Sequence, residues 1–263
     1  MRVVSLACSN TEIVHALGCA DEQVGAPEGV DDHSDFPVDV LAGLPRVGPD
    51  LEPDLDAVAA LAPDLVLATL TVPGHERVVS ALERRRLPFV APEPISLADV
   101  YRDVLDIAEL LGVPERGRTL VRAMKEDLDA PPPPPDAPSV LVEWWPKPVI
   151  APGALSWTTD VLHAAGARNP LEAESVKSRP VADEEVRALA PDAFVISWCG
   201  VHPDKYRPDV VYGNEAWADL PALREGRVFC VPEAFLGRPG PRLVEGVRAL
   251  REVVAVLGAA RTA

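Results

Sequence analysis

Three blocks of this sequence occur twice, in the same order along the chain. The pairs are Thr11–Gly18 with Thr159–Gly166, Ala60–Asp64 with Ala188–Asp192, and Pro88–Glu93 with Val228–Glu233. Chance could supply one such match, but three in order indicate a duplicated structural unit. The repeat therefore predicts two similar lobes rather than one continuous domain.

Each copy reads as strands alternating with helices. The first block has a capping residue, an acid, apolar positions at helical spacing and a final glycine, as a short helix requires. The proline of the second block ends a helix, and the apolar run after it is typical of a buried strand. Such alternation predicts parallel pairing. The predicted fold class is therefore α/β, with two Rossmann-like lobes, mainly parallel sheets and a ligand cleft between the lobes.

Helical periodicity separates the two copies. Apolar residues recur at helical spacing over residues 96–111 and again over 115–128, ahead of the proline run Pro131–Pro135. We therefore expect an N-terminal α/β lobe over residues 1–95 and a C-terminal α/β lobe over residues 131–263. Between the lobes, we expect residues 96–130 to form a connecting helical segment, which joins the lobes as a long connecting helix.

The charge of the chain restricts its partners. Its 25 basic and 41 acidic residues give a formal net charge of −16, which repels a phosphate backbone and excludes nucleic acid. No run of about 18 apolar residues exists, so we expect no membrane insertion. The phosphate-loop, zinc-helix, nucleophile-elbow and dinucleotide motifs are missing, which favours a small-molecule binding protein over an enzyme, with no required cofactor.

The start of the chain gives an expectation about its compartment. Arg2 is followed at once by Val3, Val4, Ser5 and Leu6, which reads as a first strand and not as the apolar core of a secretion leader. We therefore expect a cytoplasmic protein. If the chain begins after a removed signal peptide, the expected location is extracytoplasmic.

The loops after the predicted strands hold the candidate ligand-binding residues, because ligands of open parallel sheets bind beyond the carboxyl ends of the strands. Ser9 and Asn10 follow the first strand, where they can meet a polar ligand group or simply cap the next helix. Trp144, Trp145 and Trp198 follow strands of the second copy. Their flat rings suit a large flat ligand, although they can also pack beneath the loops.

Cys199 and His202 are weak candidates for metal ligands in the second copy. They lie three residues apart after a predicted strand and could offer a sulfur and an imidazole to a metal. Two donors without a second pair do not define a site, so we predict no metal. They support one alternative function, a cytoplasmic enzyme or metal chaperone.

Several motifs, in their order along the chain, carry a family resemblance. They are Arg2-Val-Val-Ser-Leu-Ala-Cys-Ser-Asn-Thr-Glu12, Ser34-Asp-Phe-Pro37, the two Ala-Leu-Ala-Pro-Asp blocks and Arg238-Pro-Gly-Pro-Arg242. With the connecting helix, they resemble the class III solute-binding proteins of ABC importers, which bind cobalamin, siderophores or haem. The first two motifs are closest to cobalamin-binding members. The resemblance implies a corrinoid, cobalamin-like ligand held in the cleft, and an ABC permease as a possible partner.

The resemblance also implies roles for individual residues. It places Phe36 in the cleft as an aromatic contact and Arg238 as a basic one. It also places Trp144 and Trp145 there as aromatic contacts of the second lobe. In this family one acid on each lobe docks on the permease, and the repeat places Asp56 and Glu184 at matching positions. The alternative ligand is a siderophore or haem-type metal chelate, whose negative charge Arg179, Arg238 and Tyr206 would complement.

Overall fold

The computed structural model describes residues 1–30 and 36–261. The described residues form two compact units. The first takes its described residues from Met1–Pro94, Ala98–Ala123 and Pro239–Pro241, and the second from Ile95–Leu97, Met124–Arg238 and Arg242–Ala263. The chain therefore crosses between the units more than once.

A parallel four-stranded sheet forms the centre of the first unit. Its elements are β1 (Val3–Ser5), α1 (Cys8–Ala16), β2 (Gln23–Gly25), α2 (Leu55–Ala60), β3 (Leu65–Leu67), α3 (His75–Arg85) and β4 (Phe89–Val90). The strand order is β2-β1-β3-β4, and every neighbouring pair is parallel. β3 is buried along its whole length, which explains its continuous apolar sequence. The predicted parallel α/β architecture is confirmed.

Two helices follow the first sheet along the chain. They are α4 (Leu97–Leu110) and α5 (Pro114–Leu128). These two helices match the two stretches of helical periodicity predicted over residues 96–111 and 115–128. Gly112 stands between them with a φ of 71°, a left-handed conformation that ends a helix and that glycine adopts without steric cost.

The second unit contains a parallel sheet and an antiparallel one. Its elements are β5 (Val140–Glu143), β6 (Trp145–Pro146), β7 (Val149–Pro152), α6 (Trp157–Ala164), β8 (Ser178–Val181), α7 (Asp183–Leu189), β9 (Ala193–Ile196), α8 (Pro208–Tyr212), α9 (Pro221–Arg224), β10 (Val228–Cys230), α10 (Glu233–Leu236) and α11 (Leu243–Arg261). The order β10-β9-β5 is parallel, as expected. The antiparallel sheet β6-β7-β8 was not expected, because its short strands lie outside the repeated blocks.

The repeated Ala-Leu-Ala-Pro-Asp block makes the same turn in both units. The alanine before the proline has a positive φ, 45° in the first copy and 42° in the second. The aspartate then accepts a backbone hydrogen bond: Asp64 from the nitrogen of Arg2 at 2.7 Å, and Asp192 from the nitrogen of Ser139 at 2.9 Å. Both acceptors anchor the residue ahead of the first strand of their parallel sheet, so the sequence repeat is also a structural repeat.

Both repeated helices begin earlier than their threonines predict. α1 begins at Cys8, so Ser9 and Asn10 lie inside the helix instead of preceding it. α6 is capped by Ser156, whose hydroxyl accepts a hydrogen bond from the nitrogen of Thr158 at 3.2 Å. Capping preference is a weak local signal, and burial of the first turn overrides it.

Candidate functional site

A buried carboxyl and an indole meet at the carboxyl end of the second unit's parallel sheet. Glu143 ends β5 and is 1% exposed, and Trp198 follows the neighbouring strand β9 and is 6% exposed. Nε1 of Trp198 donates to Oε2 of Glu143 at 3.0 Å. Burial raises the pKa of Glu143 to about 7, although this hydrogen bond opposes the shift. A group that titrates near neutral pH therefore holds one of the candidate tryptophans.

A second set of contacts continues from Trp198 to Arg238. The hydroxyl of Tyr206 donates to the carbonyl of Trp198 at 3.4 Å and accepts from the nitrogen of Glu233 at 2.9 Å. Nε of Arg238 donates to Oε2 of Glu233 at 3.1 Å, and Arg238 is 5% exposed. Burial raises the pKa of Tyr206, so the phenol stays protonated. Two candidate residues, Trp198 and Arg238, therefore belong to one hydrogen-bonded group.

Trp144 and Trp145 differ sharply in exposure. Trp145 is 45% exposed, whereas Trp144 is half-buried and its ring lies 6.2 Å from that of Trp157. Nε1 of Trp157 donates to the carbonyl of Leu236 at 2.8 Å, whereas Nε1 of Trp144 has no hydrogen-bond partner among the described residues. Trp145 thus offers an open ring, and Trp144 a ring with an unused donor.

Ser9 and Asn10 are buried in the first unit. Nδ2 of Asn10 donates to the carbonyls of Leu67 and Ala68, at 3.2 and 2.8 Å, where β3 ends. The amide of Asn10 therefore stabilises the chain at the end of β3. These hydrogen bonds do not depend on a ligand. Asn10 was expected in a loop, but it lies in helix α1.

Phe36 is half-buried in the first unit, and its ring contacts that of His15 edge-on at 5.3 Å between centroids. Burial lowers the pKa of His15, so the imidazole is neutral near pH 7. Ser34 and Asp35 of the Ser-Asp-Phe-Pro motif, and His33 before them, lie outside the described residues. Phe36 therefore packs on a neutral aromatic ring.

The two acids expected to dock on a permease occupy matching positions. Asp56 lies in the first turn of α2 and Glu184 in the first turn of α7, and both are exposed. Asp56 accepts from Nη2 of Arg85 at 2.9 Å. Acids in a first turn also stabilise the helix itself, so position alone does not require a partner.

Cys199 and His202 do not assemble a metal site in the part of the chain that the structure describes. Nδ1 of His202 accepts from the nitrogen of Asp204 at 3.2 Å. Across residues 1–30 and 36–261, no group of three or more His, Cys, Asp or Glu side chains is placed to hold a metal ion. The metal-based alternative gains no support from these residues.

Arg179, the proposed contact for an anionic chelate, is already bound to two carboxylates. Its guanidinium hydrogen-bonds to Glu174 and Glu185, and it is only a quarter exposed. These two partners raise the pKa of Arg179, and each carboxylate pKa is lowered in return. Its charge is therefore compensated within the unit.

Glu143 and Glu233 were not predicted from the sequence. Glu143 had one available signal, because it is an acid that directly continues the apolar run Val140–Val142. Glu233 closes the third repeated block, Val228–Glu233, but its counterpart Glu93 gave no reason to single it out. Their importance depends on contacts with Trp198 and Arg238, which sequence spacing does not reveal.

Comparison with known proteins gives the family of this chain. The model of the family described as periplasmic binding protein matches residues 3–234. The uncharacterized ABC transporter substrate-binding lipoprotein YvrC of Bacillus subtilis is 29% identical, over 96% of this chain and 79% of the relative. The vitamin B12-binding protein of Vibrio parahaemolyticus is 24% identical, over 94% of this chain and 86% of the relative.

A solved structure agrees in fold. The apo form of the periplasmic heme-binding protein RhuT from Roseiflexus sp. RS-1 matches with a TM-score of 0.80 and 23% identity, covering 97% of this chain and 98% of that chain. The likeness supports the same α/β fold. Separately, no helix within the described residues combines the length and the apolar character needed to cross a bilayer.

The expected cytoplasmic localisation is wrong. The Bacillus relative is a lipoprotein, and the matched family is described as periplasmic, which points to a location outside the cytoplasm. The family match covers all three described sheets and most of the chain. This chain therefore belongs to the periplasmic binding protein family and is a solute-binding protein of the ABC-importer type.

Proposed function

We propose that this solute-binding protein binds a corrinoid, cobalamin or a close relative, for an ABC importer. The observation that carries the proposal is the internal pairing of its candidate cations. Arg179 is held by two carboxylates, and Arg238 is buried against Glu233. Neither guanidinium offers an uncompensated charge, which favours a ligand that does not depend on strong anionic groups.

The same pairing argues against the siderophore or haem alternative. To bind an anionic chelate, Arg179 or Arg238 would have to share or break its ion pair. For Arg238 this would leave the buried carboxylate of Glu233 unpaired, which is costly. Tyr206 is also engaged, because its hydroxyl both donates and accepts a hydrogen bond within the second unit. The three residues expected to recognise a chelate are thus already engaged within the second unit.

Aromatic side chains supply the complementary support. Trp145 is an exposed ring, and Trp144 has an indole N–H without a partner among the described residues. The apolar face of a macrocycle matches the exposed ring of Trp145. We propose Trp144, Trp145 and Trp198 as ligand contacts in the second unit, and Phe36 in the first.

The remaining predicted contacts take supporting roles in this proposal. Ser9 and Asn10 are buried and would shape the site mainly by holding the end of β3. Arg238 would contribute a positive charge beside the ligand while it keeps its ion pair with Glu233. The vitamin B12-binding relative from Vibrio, aligned over most of both chains, agrees with this choice of ligand.

Equilibrium dialysis tests the ligand. Purified protein dialysed against cyanocobalamin should retain it, with the visible absorbance of the corrin on the protein and a measurable heat of binding by calorimetry. Haemin and a ferric hydroxamate are tested in parallel at the same concentration. Retention of either chelate without cobalamin would replace the corrinoid proposal by the alternative, and retention of none would refute it.

A pair of variants tests the proposed contact. Trp145→Ala removes an exposed ring and should weaken cobalamin binding roughly tenfold, the usual range for loss of a central aromatic contact. Tyr212→Ala is the matched control, because Tyr212 is 40% exposed in the same unit. Equal affinities of the two variants would remove Trp145 from the site.

We also propose Asp56 and Glu184 as the docking residues for the permease. Both are exposed in the first turn of equivalent helices, one in each unit. An exposed acid on an equivalent helix of each unit is suited to electrostatic pairing with basic residues of a partner. Replacement of these two acids should therefore impair transport and leave the affinity for the ligand unchanged.

A further inference from the structure

A cavity of about 480 Å³ lies wholly within the second unit. Its wall is formed by the end of β5, the turn between β6 and β7, the beginning of α7 and the segment from α8 to Trp217. None of the residues proposed to contact the corrinoid lines it. The volume is that of an ordinary small-molecule site, which spans roughly 300 to 1,000 Å³.

Glu143 contributes a buried carboxylate to this wall. Oε2 accepts from Trp198, but Oε1 has no hydrogen-bond partner among the described residues. A carboxylate buried with a single donor is poorly solvated, and burial accordingly raises its pKa. A cationic group placed in the cavity would supply the missing partner.

The other charges of the wall also favour a cation. Asp183 and Glu215 add two carboxylates, and Lys147 is the single basic residue of the lining. Within the described chain none of the three acids forms an ion pair, and Asp183 accepts only from Nδ2 of Asn214, at 3.0 Å. The surplus of carboxylates gives the cavity a negative potential.

The apolar part of the wall suits a carbon body. Two prolines around the β6–β7 turn and single valines of β7, β8 and α8 line the cavity together with Trp217. Trp217 is 2% exposed and stacks on Phe194 at 5.4 Å between ring centroids. A packed indole is a rigid apolar surface and attracts cations through its ring. Charge and apolar surface thus occur together in one small volume.

We infer that this cavity is a second binding site, which takes a small organic cation with a protonated amine and a short apolar chain. The ammonium group pairs with Oε1 of Glu143, and the chain packs against the apolar wall. Because Oε2 of the same carboxyl holds Trp198, binding in the cavity changes the environment of a proposed corrinoid contact. The inference does not depend on which solute occupies the corrinoid site.

The test uses n-butylammonium chloride as the probe, with the full chain at pH 8. The indole N–H signals of the protein are followed by ¹H–¹⁵N NMR and assigned with Trp198→Phe and Trp217→Phe variants. Saturable shifts of the Trp217 and Trp198 signals are expected. 1-Butanol and sodium butyrate, at the same concentration and ionic strength, should produce none. A response equal to that of butanol, or no saturation, would overturn the inference.

Replacement of acids in the cavity wall distinguishes binding in the cavity from non-specific attraction of the cation to the acidic surface. Glu143→Gln keeps an acceptor for Trp198 but removes the charge, and should weaken butylammonium binding roughly tenfold, as expected for loss of a charge-assisted hydrogen bond. Glu215→Gln, at an exposed position, should weaken it by about twofold to fivefold. Glu252→Gln, an exposed acid of α11 outside the cavity, should have no effect.

A second variant tests the acidic wall without replacing Glu143. If Glu143→Gln does not fold, the double variant Asp183→Asn with Glu215→Gln takes its place, and unchanged binding in that double variant would refute the role of the acidic wall. Cyanocobalamin binding is measured separately by dialysis. Its failure would refute the corrinoid proposal while a positive butylammonium titration still supports the cavity.

Discussion

Nε1 of Trp198 donates a hydrogen bond of 3.0 Å to Oε2 of Glu143, and both side chains are buried. Trp198 is a proposed ligand contact, whereas Glu143 lines a separate cavity of the same unit. Because burial raises the pKa of this carboxyl to about 7, its protonation state near neutral pH affects both the environment of Trp198 and the charge of the cavity.

Replacing Glu143 by glutamine should change how stability depends on pH. Burial raises the pKa of Glu143 from 4.5 to about 7, so between these values the native carboxyl keeps a proton that the unfolded chain has released. The free energy of unfolding of the wild type should therefore fall by about 3 kcal/mol as pH rises through this window. Urea titrations at pH 5 and pH 8 measure the difference.

Glu143→Gln should lack that contribution, so its stability should fall less between pH 5 and pH 8 than that of the wild type. Glu252→Gln, at an exposed position, should follow the wild-type profile. Identical profiles for all three proteins would show that the carboxyl titrates as it does in the unfolded chain.

Tyr206→Phe should destabilise the second unit by about 1 to 3 kcal/mol, because the buried N–H of Glu233 then lacks its acceptor. Tyr212→Phe is the matched control, since Tyr212 is exposed, and should change stability by less than about 0.5 kcal/mol. Thermal and urea unfolding compare the two. A neutral Tyr206→Phe would mean that the hydroxyl makes no net contribution.

The repeated turn predicts parallel effects in the two units. Asp64→Ala and Asp192→Ala each remove an acceptor for a backbone N–H ahead of a strand, and each should cost about 0.5 to 2 kcal/mol. Asp192 is the less exposed, so its replacement should cost more. Urea unfolding gives both values, and the reverse order would contradict the burial argument.

Arg179→Gln should separate stability from ligand binding. It removes a cation shared by Glu174 and Glu185, and should lower the free energy of unfolding by about 1 kcal/mol in this partly exposed network. Cyanocobalamin affinity, measured by calorimetry, should stay unchanged. A loss of affinity without loss of stability would place Arg179 in the ligand site.

Charge reversal should impair transport. The double variant Asp56→Lys with Glu184→Lys should reduce cobalamin uptake severalfold in vesicles that contain the importer, because like charges then face each other at the interface. Binding to the isolated protein should not change. Glu126→Lys with Glu252→Lys carries the same charge change at other exposed positions and should leave uptake near normal.

Local sequence patterns predicted the elements better than the contacts. The apolar run of β3 and the helical period of α4 and α5 identify those elements, because a buried strand and an amphipathic helix each impose a period on their own residues. The position of α1 was predicted less well. Its true start at Cys8 depends on burial, which a capping residue does not report.

The duplicated α/β unit and its parallel sheets could be predicted from the sequence alone, because apolar runs and helical periods mark each strand and helix within its own residues. Which charges are compensated became clear only from the folded structure. Glu143 and Trp198 are 55 residues apart, yet they share a hydrogen bond and a raised pKa. Such pairs form between strands brought side by side by folding, so no spacing rule could reveal them.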